Sequence, residues 1–226
     1  MDRSLARSYH AGDGPEDAMT SKLYAILGAL GLAACATSEA PAQESASGPS
    51  AFTKAIHEQV RAERPFSDTR DFDFAQRGFI ATRKDPLITT ATGQPVWNLA
   101  AFDFLKTDAP STVNPSLWRQ GQLMAKHGLF KVSDTIWQVR GFDIANITFV
   151  KGATGWIVID TLGSIETAKA ALDLANEQLG ARPVVAVIYT HSHTDHFAGA
   201  AGLIQLADVR AGKVQVIAPK GFLEAA

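Results

Sequence analysis

The residues of this chain that could do chemistry are concentrated in one window, which reads Thr-His-Ser-His-Thr-Asp-His over residues 190–196. Half of the six histidines in the 226-residue chain fall within it. In an extended segment, side chains two residues apart point to the same side, so His191 and His193 can offer their imidazoles to one cation. Asp195 and His196 follow the turn and can face a second cation. Imidazole nitrogen with carboxylate oxygen suits zinc, and also manganese or ferrous iron.

The flanking segments place this window at the carboxyl end of a strand. Residues 183–189 are apolar and rich in β-branched side chains, as buried strands are. Residues 199–208 predict a helix, in which Gly199 and Gly202 would let backbone or a ligand approach closely. Open α/β sheets bind ligands at the carboxyl ends of their strands. We therefore prefer a metal site to the alternative, which is a polar surface loop that happens to hold histidines.

The window and its surroundings resemble a known family. His-x-His-x-Asp-His after an apolar strand resembles the metal-binding motif of the metallo-β-lactamase superfamily. Four other segments resemble its linear alkyl-sulfatase branch, whose members hydrolyse alkyl sulfate esters such as dodecyl sulfate: residues 126–132, 137–148, 156–162 and 217–224. The resemblance covers residues 50–226. Another hydrolase of the same superfamily, with a β-lactam, thioester or phosphodiester substrate, is the alternative.

The resemblance implies a hydrolase site with two zinc ions. His191 and His193 would bind the first ion, and Asp195 and His196 the second. Asp195 would also have a catalytic role, because it could orient the bridging hydroxide. Asp160 ends an apolar strand and is expected to hydrogen-bond a ligand histidine or the motif loop, although a plain strand-end Asp is the alternative.

Four motif donors do not complete two zinc sites, which need about three or four protein ligands each, some of them shared. The residues after His196 contain Asp208 and Glu224 as their only carboxylate side chains and no histidine. The resemblance therefore implies a fragment, the amino-terminal portion of a longer enzyme. We expect the isolated chain to be inactive and the full-length enzyme to be a homodimer.

The amino-terminal segment, residues 1–35, indicates export. Its apolar run over residues 23–34 is short for a membrane span and suits the core of a signal peptide. Leu-Ala-Ala-Cys resembles a bacterial lipoprotein cleavage site, with the lipid anchor at Cys35, the chain's only cysteine. An ordinary secretory signal is the alternative. Met19 is the expected initiator, because the preceding residues do not resemble the start of a signal peptide.

These features predict a periplasmic or outer-membrane lipoprotein. Residues 36–50 are rich in Ala, Ser, Pro and Glu and predict a flexible linker away from the membrane. A non-catalytic surface lipoprotein with a partial metal site is a second alternative. The net charge of −2 and the pI near 6.3 argue against nucleic-acid binding.

The remaining chain predicts a lead-in region over residues 51–128 and a partial metallo-β-lactamase domain over residues 129–226. Strands first in hairpins and then alternating with helices indicate an α/β fold, the amino-terminal half of an αβ/βα sandwich. Predicted helices cover residues 52–64, 116–128, 165–179 and 199–208, and predicted strands cover residues 129–132, 135–139, 146–151, 155–160, 184–190 and 214–218.

Structural roles are predicted for four polar side chains outside the motif. His57 is expected on a solvated helix face, and His127 is expected to cap the carboxyl end of a helix. Arg140 and Asn146 could contact a sulfate group, but structural pairing is the preferred role for each.

Overall fold

The structure of the chain is a computed structural model that describes residues 48–226. The predicted signal segment, Cys35 and the linker up to residue 47 lie outside the described residues. Within residues 48–226, no helix is both long enough and apolar enough to cross a membrane.

The first part of the described chain is mostly helical, with three short strands. Along the chain the elements are α1 (Ala51–Glu63), α2 (Arg70–Gln76), β1 (Phe79–Ala81), β2 (Leu87–Thr89), β3 (Pro95–Asn98), a 3-10 helix (Leu99–Lys106) and α3 (Pro115–Met124). The strands β2 and β3 form a separate two-stranded sheet.

The second part carries most of the strands. It contains β4 (Gly128–Lys131), β5 (Ile136–Arg140), β6 (Ile147–Lys151), β7 (Trp156–Ile159), α4 (Ile165–Leu179), β8 (Val184–Ile188), α5 (Thr194–Phe197), a 3-10 helix (Ala198–Gly202), α6 (Leu206–Arg210), β9 (Gln215–Ile217) and α7 (Phe222–Ala225).

A seven-stranded mixed sheet forms the frame, in the order β1-β4-β5-β6-β7-β8-β9. The strands from β4 to β7 are antiparallel neighbours, whereas β7, β8 and β9 run parallel to one another. The change follows from the connections, since a parallel neighbour needs a crossover and α4 supplies one between β7 and β8. The predicted α/β class is confirmed by this mixed sheet with its helices.

Helix α4 covers the sheet and has the predicted bounds. Ser164 caps its first turn, because its Oγ accepts a hydrogen bond from the Thr167 backbone N–H at 3.1 Å. Gly180 ends it at φ 90°, a conformation that suits glycine. The face turned to the sheet is made largely of small buried alanines, which let the helix lie close to the strands.

The core centres on Trp156, whose side chain is fully buried between the sheet and α4. Its ring meets those of Trp137 and Phe149 edge to face, at centroid distances of 5.8 and 5.9 Å. Its indole N–H donates to Asn176 Oδ1 at 2.9 Å, so the one polar atom of the ring is satisfied. This cluster fixes α4, and with it the loop between β7 and α4, against the sheet.

The predicted helix over residues 199–208 is wrong as a single element, because the chain forms a 3-10 helix over Ala198–Gly202 and α6 begins only at Leu206. Gly199 packs so tightly that a Cβ there would lie 2.0 Å from the Thr161 carbonyl oxygen. A Cβ at Gly202 would lie 2.2 Å from the Ile165 carbonyl oxygen. Docking against these carbonyls overrides the regular helical path that the local sequence favours.

Two histidines also differ from their predicted positions. His57 is buried rather than solvated, with Nδ1 at 3.1 Å from the Ser111 carbonyl oxygen. His127 lies beyond the end of α3 and its Nδ1 is 2.8 Å from Thr82 Oγ1, so it does not cap the helix. Both contacts are made with residues distant in sequence, which helical periodicity does not reveal.

Candidate metal centre

The motif and Asp160 meet because β7 and β8 are parallel neighbours that end at the same edge of the sheet. Ile159 at the end of β7 is opposite Ile188 at the end of β8. The next residue, Asp160, donates its backbone N–H to the Ile188 carbonyl at 2.9 Å. The motif begins two residues after Ile188, so both segments emerge together, as ligand sites of α/β sheets commonly do.

The three motif histidines gather in a turn and not along an extended strand. The strand β8 ends at Ile188, and Asp195 and His196 lie in the single-turn helix α5. The ring of His191 is 4.7 Å from that of His193 and 4.0 Å from that of His196, measured between centroids. The predicted cluster of imidazoles is therefore present, but the turn brings in His196 beside His191.

Asp160 lies beneath this cluster and contacts both a motif histidine and the motif loop. Its Oδ1 accepts from the Thr190 backbone N–H at 2.8 Å, and its Oδ2 lies 2.8 Å from the Thr190 hydroxyl. Oδ2 also lies 2.8 Å from His196 Nδ1. Asp160 adopts φ 59°, a left-handed conformation that Asp tolerates better than most residues.

These contacts decide which nitrogen each imidazole can present. A carboxylate only accepts hydrogen bonds, so His196 donates through Nδ1 and keeps Nε2 for another partner. The Thr190 hydroxyl donates its one proton to Asp160, and therefore accepts from His191 Nδ1 at 3.0 Å. His191 then also presents Nε2 with its lone pair free. A carboxylate that orients a histidine in this way is a common support of metal sites.

The types of donor atom, and the distance between two of those atoms, fit the binding of a metal ion. His196 Nε2 and Asp195 Oδ2 are 3.2 Å apart. Two ligands of one tetrahedral zinc ion, each about 2.0–2.2 Å from it, are about 3.4 Å apart. Within residues 48–226, however, no three His, Cys, Asp or Glu side chains are placed together to hold a metal ion. The Asp195–His196 pair has ligand spacing, and His191 and His193 lie next to it.

Backbone hydrogen bonds dock the motif helix on the loop that follows β7. The Thr161 N–H donates to the His196 carbonyl at 2.8 Å, and the Gly199 N–H donates to the Leu162 carbonyl at 2.9 Å. Leu162 is fully buried and has φ 62°, a rare conformation for a leucine. The tight contact at Gly199 and this strained loop hold His196 over Asp160.

Sequence reasoning missed Asp143, which connects the loop after β5 to the motif region. Its carboxylate accepts from the Ile144 and Gly163 backbone N–H groups at 2.7 and 3.1 Å, and from Thr167 Oγ1 at 2.8 Å. A Cβ placed at Gly163 would lie 3.4 Å from Asp143 Oδ1 and 3.5 Å from the Cα of Asp195. The available signal was an acid just after a strand, inside the family-like segment 137–148.

Arg140 and Asn146 do not reach the motif histidines through any hydrogen bond of the described chain. The Arg140 Nε donates to Gln138 Oε1 at 2.8 Å, and its guanidinium lies 4.4 Å from the centroid of the Phe130 ring. Partial burial lowers the pKa of Arg140 from its usual value. These contacts correspond to structural pairing, which is the role predicted for Arg140.

Comparison with known proteins shows what the chain is similar to in sequence. Residues 140–226 match the metallo-β-lactamase superfamily. The chain is 51% identical over 176 residues to an (R)-specific secondary-alkylsulfatase from Pseudomonas sp., a match that covers 77% of this chain and 26% of that protein. It is 50% identical over 167 residues to an alkyl/aryl-sulfatase from Saccharomyces cerevisiae, covering 74% of this chain and 26% of that protein.

A solved structure gives the same result in three dimensions. The stereoselective inverting sec-alkylsulfatase from Pseudomonas sp. superposes with a TM-score of 0.74 at 50% identity, over 79% of this chain and 28% of that one. The chain spans about a quarter of the length of the curated relatives it matches.

The chain belongs to the metallo-β-lactamase superfamily, which its residues 140–226 match. Within the superfamily, the predicted resemblance to the alkylsulfatases is confirmed, and it extends over about three quarters of the chain. The prediction that the chain comes from a family of hydrolases is confirmed as well.

Proposed function

We propose that this chain carries part of the active site of an enzyme that hydrolyses alkyl sulfate esters with two zinc ions. The observation that supports it most is the cluster of oriented imidazoles beside Asp195, in a chain about half identical to alkylsulfatases. We further propose that the described sheet is the amino-terminal half of an αβ/βα sandwich, preceded by the lead-in region over residues 51–128.

In this proposal His191 and His193 hold one ion, and Asp195 and His196 hold the other. When bound, paired zinc ions supply Lewis acidity for the ester oxygens and lower the pKa of an attacking water. Asp160 keeps the Nδ1 protons of His196 and, through Thr190, of His191, so that both Nε2 atoms stay available. Asp195 contributes a carboxylate that can accept a hydrogen bond from the attacking water and orient it.

Two ions need more donors than the motif contains, so we propose that further ligands come from outside residues 48–226. The full-length enzyme would supply them and would act as a homodimer. The 226-residue chain alone is then expected to bind zinc weakly, in less than stoichiometric amount, and to release no sulfate from dodecyl sulfate.

Zinc content and turnover test this proposal together. A full-length version should bind about two zinc ions per chain and hydrolyse dodecyl sulfate in preference to a cephalosporin or a glutathione thioester. His191→Ala and His193→Ala should each lower zinc content and nearly abolish sulfate release. Preference for either of the other two substrates would favour another hydrolase of the superfamily. Unchanged zinc content in both variants would contradict the metal assignment.

We also propose that the protein is exported and anchored by a lipid on Cys35, with residues 36–50 as the tether. Cys35→Ala should move the protein from the membrane fraction to the soluble fraction or block its maturation. Membrane fractionation that is unchanged by this substitution would contradict the anchor.

A further inference from the structure

An apolar cleft of about 490 Å³ opens on the surface of the described chain. It is bordered by side chains from three separate segments: Trp97, Phe102, Phe104, Leu117, Met124 and Ile144. Several of these side chains are unusually exposed for their type, with 65% of Leu117, 71% of Met124 and 77% of Ile144 accessible to solvent. Exposed apolar residues gathered in one concavity mark a binding site more often than scattered ones do.

The cleft offers a ligand few hydrogen bonds. Trp97 and Trp118 have already committed their indole N–H groups to the carbonyls of Gly141 and Thr107. Asp143 is part of the lining, and its carboxylate already accepts hydrogen bonds from Ile144, Gly163 and Thr167. His127 also lines the cleft, and its Nδ1 lies 2.8 Å from Thr82 Oγ1. A ligand without hydrogen-bonding groups along its length therefore suits this surface, because most polar groups of the lining are already paired within the protein.

Asp143, which is part of the cleft lining, lies close to the motif. The position of a Cβ on Gly163 would be within 3.5 Å of both the Asp143 carboxylate and the Cα of Asp195. Two atoms that share such a point are within about 7 Å of each other, because each is about one van der Waals contact away from it. A molecule in the cleft could therefore extend past Asp143 to the motif loop.

We propose that this cleft binds the linear alkyl chain of an alkyl sulfate whose ester group lies at the histidine motif. The inference rests on the proposed function, and it identifies where the apolar part of the substrate would be recognised. In the cleft, binding is favoured because methylene groups of the alkyl chain leave water. At the motif, binding comes from contacts to the sulfate ester.

Binding of alkyl sulfonates below their micelle-forming concentrations tests the cleft, because their C–S bond is not an ester and no turnover is needed. The 226-residue chain should bind them more tightly by about fourfold for each added methylene until the cleft is filled. A sulfonate with a bromine-labelled chain should quench Trp97 and Trp118, which line the cleft, and not the core pair Trp137 and Trp156.

Substitutions at exposed positions separate the cleft from general detergent binding. Met124→Asp and Ile144→Asp should each weaken binding at least about tenfold, since a charge would then face the alkyl chain. Leu206→Asp is the matched control, because Leu206 is 61% exposed and lies on α6 outside the cleft. It should leave the affinity and the dependence on chain length unchanged.

The proposal would be overturned if all of these variants bound alkyl sulfonates as tightly as the parent chain. It would also be overturned if Leu206→Asp lost as much affinity as the two cleft variants. Self-association of the chain that Met124→Asp abolishes, without any alkyl binding, would overturn it in favour of a second copy as the occupant. If binding follows the cleft while the full-length enzyme releases no sulfate, the alkyl-chain site stands and the proposed sulfatase function fails.

Discussion

Among single residues, Asp160 has the greatest influence on the motif, because it determines which imidazole nitrogens carry protons. Its carboxylate accepts a hydrogen bond directly from His196 Nδ1. It also accepts one from the Thr190 hydroxyl, which in turn accepts from His191 Nδ1. Two side chains of the motif therefore depend on one carboxylate from the neighbouring strand. Partners of this kind fix the tautomer and the ring orientation of ligand histidines.

Asp160→Asn should weaken zinc binding by about 10- to 100-fold. The amide N–H₂ of the new Asn would face His196 Nδ1 and force that nitrogen to accept, which moves the imidazole proton to Nε2 and removes the lone pair for the metal. The backbone should be preserved, since Asn also tolerates a left-handed conformation. Competition with a chelator measures the affinity.

The control for this substitution is Asp208→Asn, which alters an exposed acid that pairs with Lys213 at 3.1 Å. It should bind zinc as the parent chain does. Parent-like affinity in Asp160→Asn would show that this acid is an ordinary strand-end residue without influence on the ligands.

His127 gives the described chain a dependence on acid. Burial lowers the pKa of its imidazole below 6.5, with Lys106 acting in the same direction and Asp103 opposing it. The unfolded chain therefore binds this proton more readily than the folded chain, so stability is lost as the pH falls below about 6.5. His127→Gln, which cannot titrate, should lose less stability between about pH 7 and pH 5 than the parent.

Urea unfolding at the two pH values measures this difference. The comparison is between the two changes in unfolding free energy, because the substitution also alters the contact with Thr82 at both pH values. Equal changes in the parent and in His127→Gln would exclude His127 as a source of the acid sensitivity.

At the scale of elements, the tight contact of the Ala198–Gly202 turn with the start of α4 positions the motif helix. A Cβ on Gly199 would lie 2.0 Å from the Thr161 carbonyl oxygen and 2.6 Å from that of Ser164. Both atoms belong to the backbone, so they cannot move aside as a flexible side chain could. The hydrogen bond from Gly199 N–H to the Leu162 carbonyl shows how close the two segments are.

Gly199→Ala should therefore destabilise the described fold by about 2 kcal/mol or more, at the upper part of the range for overpacked sites. It should also shift His196 away from Asp160, so that zinc affinity falls together with stability. Gly48→Ala is the control, since a Cβ at that position meets nothing within 4 Å. Thermal unfolding of the two variants gives the comparison, and equal melting temperatures would contradict the close docking.

At the scale of the whole described chain, the seven-stranded sheet ends at β9 with an exposed apolar edge. All three residues of β9 are exposed, including Val216 and Ile217 at 42% and 47%. An exposed edge strand can pair with another chain, and an apolar one does so more readily. Association between copies is therefore expected for the 226-residue chain at high concentration.

Val216→Lys should lower this association, because a charge on an edge strand discourages pairing. Leu223→Lys adds the same charge at an exposed position of α7, outside the sheet, and serves as the control. Light scattering measured against protein concentration should show that aggregation begins at a higher concentration for Val216→Lys only. The same increase in that concentration for both variants would assign the effect to net charge and not to the edge strand β9.

Local sequence determined much of what surrounds the motif. Partial alternation predicted β5, a hairpin turn predicted β6 and β7, and an apolar β-branched run predicted β8. The spacing of isoleucine, alanine and leucine predicted α4, and Gly180 predicted its end, since these signals depend on neighbours within a few positions. The motif itself predicted the family, because its residue types and spacing are specific. Asp160 could be suggested as a support only because it ends the strand before the crossover helix.

Tertiary structure alone decided the contacts between distant segments. The pairing of β7 with β8 placed Asp160 against Thr190, which is 30 residues away, and the register of that pair has no local signal. The packing of Gly199 interrupted a helix that the local sequence favoured. His57 is buried against Ser111, although the sequence had predicted a solvated position for it. The apolar cleft, built from residues 97–144, exists only where separate segments meet, because concavity is a property of packed surfaces and not of any one segment.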